Sequence, residues 1–207
     1  RGPGNSMTRQ STSLPWPEVG TDIESAQRDD VVQLGVWMFL ATVVMLFAAF
    51  TSAYIVRRSA SDWTPIELPW ILWVNTAVLV ASGMALEGGR FASRRGKAMS
   101  ARYGVSAAAG LGLLFLAGQV AAWRELAVHG VYLPTSPHSS FVYILTGAHG
   151  VHVAAGLVLL IYTAAQLSMA RAQVNRDRTA RLLTASATFW HFLAVMWVYV
   201  FVLVTVF

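Results

Sequence analysis

Five stretches of the chain carry no Lys, Arg, Asp or Glu: residues 31–56, 68–86, 103–123, 138–170 and 182–207. A run of about 18 or more apolar residues without charge reads as a membrane-spanning helix. The pattern predicts an all-α fold: an integral membrane bundle of five transmembrane helices over about 31–56, 68–88, 103–124, 138–170 and 181–207. These form one domain, 31–207, behind a polar amino-terminal tail, 1–30. The fourth run is longer than the roughly 20 residues a span needs, so its helix is expected to tilt or to project beyond the bilayer.

The ends of the runs are marked by turn chemistry. In "PTSPH", Ser136 is placed to cap a helix and Pro137 suits its first position, where an N–H is not needed. The fourth helix should begin near His138. Trp63, Trp70, Trp73, Trp123 and Tyr132 fall near run ends on one side, as interfacial aromatic belts do. Ahead of the first run, Pro15 and Pro17 flank Trp16, and Asp22, Glu24, Asp29 and Asp30 follow. A solvated tail or a surface helix fits this segment equally well. Residues 1–6 precede a plausible initiator at Met7 and are expected to be a remnant or upstream read-through. No secretory leader is expected, since the first apolar run lacks a small-residue cleavage site.

Composition agrees: 56% of residues are hydrophobic and 12% charged, against roughly a quarter charged in soluble domains. The net charge of +5 is a topology signal. Three segments that would share one side of the membrane hold twelve basic residues, and the opposite side holds only Arg57, Arg58 and Arg124. Basic excess marks the cytoplasmic side, so the amino terminus is expected inside and the carboxy terminus outside. No nucleic acid partner is implied. The absence of cysteine excludes disulfides and thiolate metal sites.

Candidate chemistry lies in the fourth and fifth runs. His149 and His152 sit at i and i+3 in "TGAHGVHVAAG", about 60° apart on a helix and able to share one face. One reading makes them ligands. A b-type haem would need one of them with His191 on the fifth helix, and Zn or Cu would need a further ligand with its outer-shell partner. The favoured reading is hydrogen bonding across a helix interface, with Gly147, Gly150 and Gly156 admitting close packing. "FWHFLAVMW" places Trp190, His191 and Trp197 on the fifth helix, after four arginines that end with Arg181. This is either an aromatic-rich span or an anionic lipid headgroup site near the inner surface. Arg124 and Glu125 are expected to snorkel to the interface, and Glu87 is expected to pair with Arg90 there. No nucleotide loop, nucleophile triad or zinc-protease motif is present.

These residues resemble a known family. "LGVWMFLATVVMLFAAFTSAY" with its Trp37, "NT" at Asn75–Thr76 followed by "LVASG", "LLFLAGQ" with Trp123, "FVYILTGAHGVHVAAGL" and "FWHF" with Trp197 look like subunit III of haem–copper terminal oxidases, in its five-helix bacterial form. The resemblance covers nearly all of 31–207. It implies a non-catalytic subunit of the bacterial cytoplasmic membrane, packed beside catalytic subunit I and subunit II, which hold the haem and copper. It also implies bound phospholipid, in a cleft between the first two helices and the rest, and support of sustained proton uptake. The histidines, glycines and tryptophans above, with Trp37 and Arg181, become helix-packing and lipid-binding residues. The pattern departs from the family where Val43, Ala122 and Ala194 stand at positions that commonly carry carboxylates. The alternatives are a related accessory of nitric oxide reduction and an independent membrane cytochrome b.

Overall fold

In the computed structural model the chain is all-α among the described residues. The structure describes residues 19–64, 66, 68–169 and 173–206, with side chains from 34 onward except 170–178. Five helices follow one another: α1 (Val19–Arg58), α2 (Ile71–Arg94), α3 (Ala98–Val128), α4 (Pro137–Met169) and α5 (Gln173–Val206). Each contains a segment long and apolar enough to cross a membrane, the first of them Leu34–Arg58. The proline-flanked Trp16 and the side chains of Arg171, Arg176 and Arg178 lie outside the described residues.

Several helices outrun the uncharged stretches that predict them. α1 begins at Val19 rather than near 31, α3 at Ala98 rather than 103, and α5 at Gln173 rather than 181. The reason is physical: charge keeps a residue out of hydrocarbon but does not stop a helix, since Arg, Lys and Glu are good helix formers. What stops the helices is backbone geometry. Gly96 takes φ +72° and Gly130 takes φ +77°, the left-handed conformation that a side chain disfavours. Past them, Lys97 N–H returns to Ala92 O and Val131 N–H to Leu126 O, both at 2.9 Å. α4 starts as the sequence predicts. Ser136 Oγ accepts from Ser139 N–H at 3.1 Å, and Ser139 Oγ accepts from Ser136 N–H at 2.9 Å. This is a reciprocal cap in which a serine stands where Glu or Gln is usual.

Helices α2 to α5 pack in chain order, and α5 returns to α2, closing a ring of four. The tightest seam joins α2 and α3. A Cβ on Gly104 would lie 2.6 Å from Gly89 Cα and 2.9 Å from Ala85 O, so only hydrogen there allows the two backbones to meet, and a Cβ on Gly89 would crowd Ala101 O at 3.1 Å. The Met38–Arg58 part of α1 docks differently. Among the described residues, none of its Cα atoms lies within 8 Å of a Cα in another helix. Large side chains bridge instead. Leu40, Val43, Phe47 and Tyr54 form its buried stripe, and the last three join Leu126, Val142, Leu145, Met196, Val200, Leu203 and Val204 in one cluster. The stripe repeats at steps of three, four and seven residues, as one helix face must.

This arrangement corrects the expected cleft between the first two helices and the rest. α2 belongs to the four-helix ring, and α1 alone stands off it. Val43 and Ala122, at two of the departures from the family pattern, are fully buried, while Ala194 is half-buried.

Replacing Gly104 by Ala should lower the unfolding midpoint of the detergent-solubilised chain by the equivalent of about 1–3 kcal/mol, the usual penalty of overpacking. Gly110→Ala, on the same helix with nothing within 4 Å of the added Cβ, should be neutral or slightly stabilising. Equal midpoints for the two variants would refute the backbone contact at Gly104.

Candidate functional site

A set of polar side chains on α2 is turned to the inner faces of the ring, where α2 meets α3 and α5. The buried stripe of α2 includes Leu72, Asn75, Leu79, Ser82 and Leu86, spaced at three and four residues. Asn75 and Ser82, seven apart, therefore point inward together. Asn75 Nδ2 donates to Phe115 O on α3 at 3.0 Å, and Gly118 leaves the room that the amide occupies. Ser82 Oγ donates to Ala108 O at 2.8 Å and accepts from Trp190 Nε1 at 3.0 Å. Thr76 Oγ1 donates to Leu72 O at 2.8 Å and accepts from Trp197 Nε1 at 2.9 Å.

Trp190 and Trp197 are each 1% exposed, which removes them from any headgroup site. A Cβ on Gly112 would come 2.7 Å from Trp190 Cη2, so that glycine of α3 is the slot into which the indole fits. His191 turns the other way. Its Nε2 lies 2.8 Å from Glu87 Oε1, the oxygen that also accepts from Arg90 at 2.6 Å. The expected Glu87–Arg90 pair is present, with a third member on α5 that sequence spacing did not suggest. At the loop end, Trp123 Nε1 donates to Thr146 Oγ1 at 3.1 Å, tying α3 to α4. Arg181 is exposed and engaged in an interaction of its own, and Trp37 is exposed.

The two histidines of α4 behave differently from the cross-helix bonding expected of them. His149 is 0% exposed, and neither ring nitrogen has a hydrogen-bond partner among the described residues. Its ring packs against Phe115 and Trp197 at centroid distances of 6.0 and 5.1 Å. His152 donates from Nδ1 to Ala148 O of its own helix at 2.7 Å and faces the rings of Phe39 and Phe47 on α1. The i, i+3 offset is the cause. It turns His149 into the ring of helices and His152 toward α1, so the pair has no common partner.

The glycines also divide. Around Gly156 an added Cβ would meet Leu193 at 2.9 Å and both Phe189 and Trp190 at 3.2 Å. Gly147 sees Trp123 only at 3.9 Å and Gly150 sees nothing within 4 Å. Of the three, Gly156 alone serves close packing.

His149 is enclosed by neighbouring side chains, and His191 Nε2 is engaged by Glu87. Among the described residues no three His, Asp or Glu side chains gather as metal ligands.

A separate feature lies at the loop end of α1. A groove of about 1160 Å³ runs between α1 and the start of α4, lined by Ala49, Ser52, Ala53, Val56, Arg57, Ala60, Ser140 and Phe141 among others. Arg57 donates to Asp62 through both terminal guanidinium nitrogens, Nη1 and Nη2, at 2.6 and 2.5 Å. These bonds hold the Asp62 carboxyl below its ordinary range. Both side chains are substantially exposed, so the pair adds little to stability.

The family described as cytochrome c oxidase subunit III matches residues 22–207. A probable cytochrome c oxidase subunit 3 of Mycobacterium tuberculosis (strain ATCC 25618 / H37Rv) is 29% identical over 187 residues, covering 88% of this chain and 91% of the relative. A cytochrome c oxidase subunit 3 of Synechocystis is 32% identical over 183 residues, covering 84% and 75%. A probable quinol oxidase subunit 3 of Staphylococcus saprophyticus is 26% identical over 193 residues, covering 89% and 92%.

A buried imidazole without hydrogen bonds is a liability that an apolar ring of similar shape removes. His149→Phe should therefore leave the thermal midpoint of the solubilised chain unchanged or raise it. A fall equivalent to more than about 1 kcal/mol would mean that the imidazole has a partner of its own.

Proposed function

The chain belongs to the cytochrome c oxidase subunit III family, and from that premise we propose what it contributes to the oxidase. It is a multi-pass membrane subunit of a haem–copper terminal oxidase, matched to its family across the spans of all five helices. In this proposal it is a non-catalytic subunit of a bacterial cytoplasmic membrane. Subunits I and II are its partners and hold the haem and copper. Its own part is to stabilise catalytic subunit I and to retain phospholipid.

The observation that carries the non-catalytic reading is the use made of the polar side chains in the spans. Trp190, Trp197, Ser82, Thr76 and Asn75 hydrogen-bond one helix to another, and His191 and Arg90 both bond to Glu87 Oε1. Groups used in this way hold helices in register and are not free for a reaction. The groove beside α1 supports the phospholipid reading. Its wall of small and apolar side chains suits an acyl chain, and Ser52, Ser140 and Arg57 offer polar contacts to a headgroup.

Gentle extraction of the tagged chain from its native membrane, followed by a reduced-minus-oxidised spectrum, tests the division of labour. The haem signal should follow a co-purifying catalytic subunit and be missing from this chain alone. Haem kept by the isolated chain would overturn the proposal. For the lipid, Ala53→Trp fills the groove from an exposed position of α1. It should reduce the phospholipid that survives purification of the complex without changing its subunit composition. Undiminished phospholipid would place the lipid elsewhere.

A further inference from the structure

A second cavity, of about 470 Å³, opens at the carboxy-terminal end of α3, against the loop between α1 and α2. Its wall is apolar, built from side chains such as Trp70, Leu126 and Val131, apart from Glu125 and His129. Those two residues stand at i and i+4 on the last turn of α3 and at its cap, the spacing that stacks two side chains on one helix face. Helical side chains lean toward the amino-terminal turn, so the imidazole of His129 lies over the turn that carries Glu125.

The hydrogen bonding of His129 defines its chemistry. The ring Nδ1 lies 2.8 Å from the backbone oxygen of Glu125. A carbonyl oxygen can only accept, so Nδ1 carries the proton of the neutral ring and the lone pair resides on Nε2. An imidazole held at Nδ1 by a carbonyl, with no hydrogen bond at Nε2 among the described residues, is the arrangement by which proteins orient a metal-binding histidine. The turn beneath it is fixed as well, since Gly130 N–H returns to Ala127 O at 3.0 Å and Val131 N–H to Leu126 O at 2.9 Å.

From this geometry we propose that the end of α3 binds a divalent transition cation of the Zn²⁺ type, through His129 Nε2 and the Glu125 carboxylate, with water completing the coordination. Imidazole nitrogen together with one carboxylate selects a borderline cation over Ca²⁺ or Mg²⁺, which favour all-oxygen shells. Two protein ligands make an open, exchangeable site. The proposal is independent of the assembly role argued above.

The test is equilibrium dialysis of the intact, chelator-treated complex against Zn²⁺ at neutral pH, comparing the unmodified protein with His129→Asn and Glu125→Gln. Asn retains a side-chain amide able to donate to the Glu125 carbonyl, so the helix end is preserved while the Nε2 ligand is lost. The unmodified complex should take up one more Zn²⁺ equivalent than His129→Asn, and Glu125→Gln should bind that equivalent severalfold more weakly. Identical stoichiometry and affinity in all three proteins would overturn the proposal, as would no saturable uptake by the unmodified complex. If His129→Asn does not assemble, Glu125→Gln decides alone: unchanged affinity for every equivalent refutes the site.

Discussion

Two indole N–H groups on α5 are cut off from water, and each must find an acceptor within the protein. Trp190 finds Ser82 and Trp197 finds Thr76, both on α2, at 3.0 and 2.9 Å. In a membrane the apolar surfaces of helices gain little by leaving lipid for each other, so close packing and interhelix hydrogen bonds carry much of the association. These two bonds lie two turns apart on α5. Together they fix both the rotation and the axial register of α5 against α2, which closes the ring.

The remaining contacts make room for those bonds. Gly112 admits the Trp190 indole from α3, and Gly156 admits its neighbour Leu193 and the far edge of the same ring from α4. Gly118 admits the Asn75 amide, while Gly89 and Gly104 bring the α2 and α3 backbones together. Large polar-tipped side chains thus come from one helix and the space for them from the next. α1 follows another rule. It meets its neighbours through Phe39, Phe47 and Tyr54, and through one hydroxyl contact from Thr51 to Tyr199 at 2.7 Å. Bulky spacers hold its backbone at a distance, and the groove opens at its loop end.

The candidate residues were legible to different degrees. Trp190, His191, Trp197 and Gly156 stand out in the sequence and prove to be contacts between helices. Gly147 and Gly150 stand out equally and pack against little, because a glycine reports that space is possible and not that a neighbour occupies it. The partner residues on α2 were harder to see. Asn75 and Ser82 carry a faint signal, two polar residues seven apart on an otherwise apolar stripe. Glu87 was readable as an ion pair with Arg90, three residues away, but its bond to His191 crosses 104 residues of chain.

By itself the sequence determined the number of spans, the all-α class and the start of α4. These follow from local quantities: uncharged length against bilayer thickness, and a serine cap followed by proline at the first helical position. The tertiary structure alone decided which helices touch, that α2 belongs to the ring while α1 stands off, and that His149 turns inward while His152 turns toward α1. Helix rotation and register are set by side chains fitting across a gap. That fit depends on pairs of residues far apart in the chain, which no window along the sequence contains.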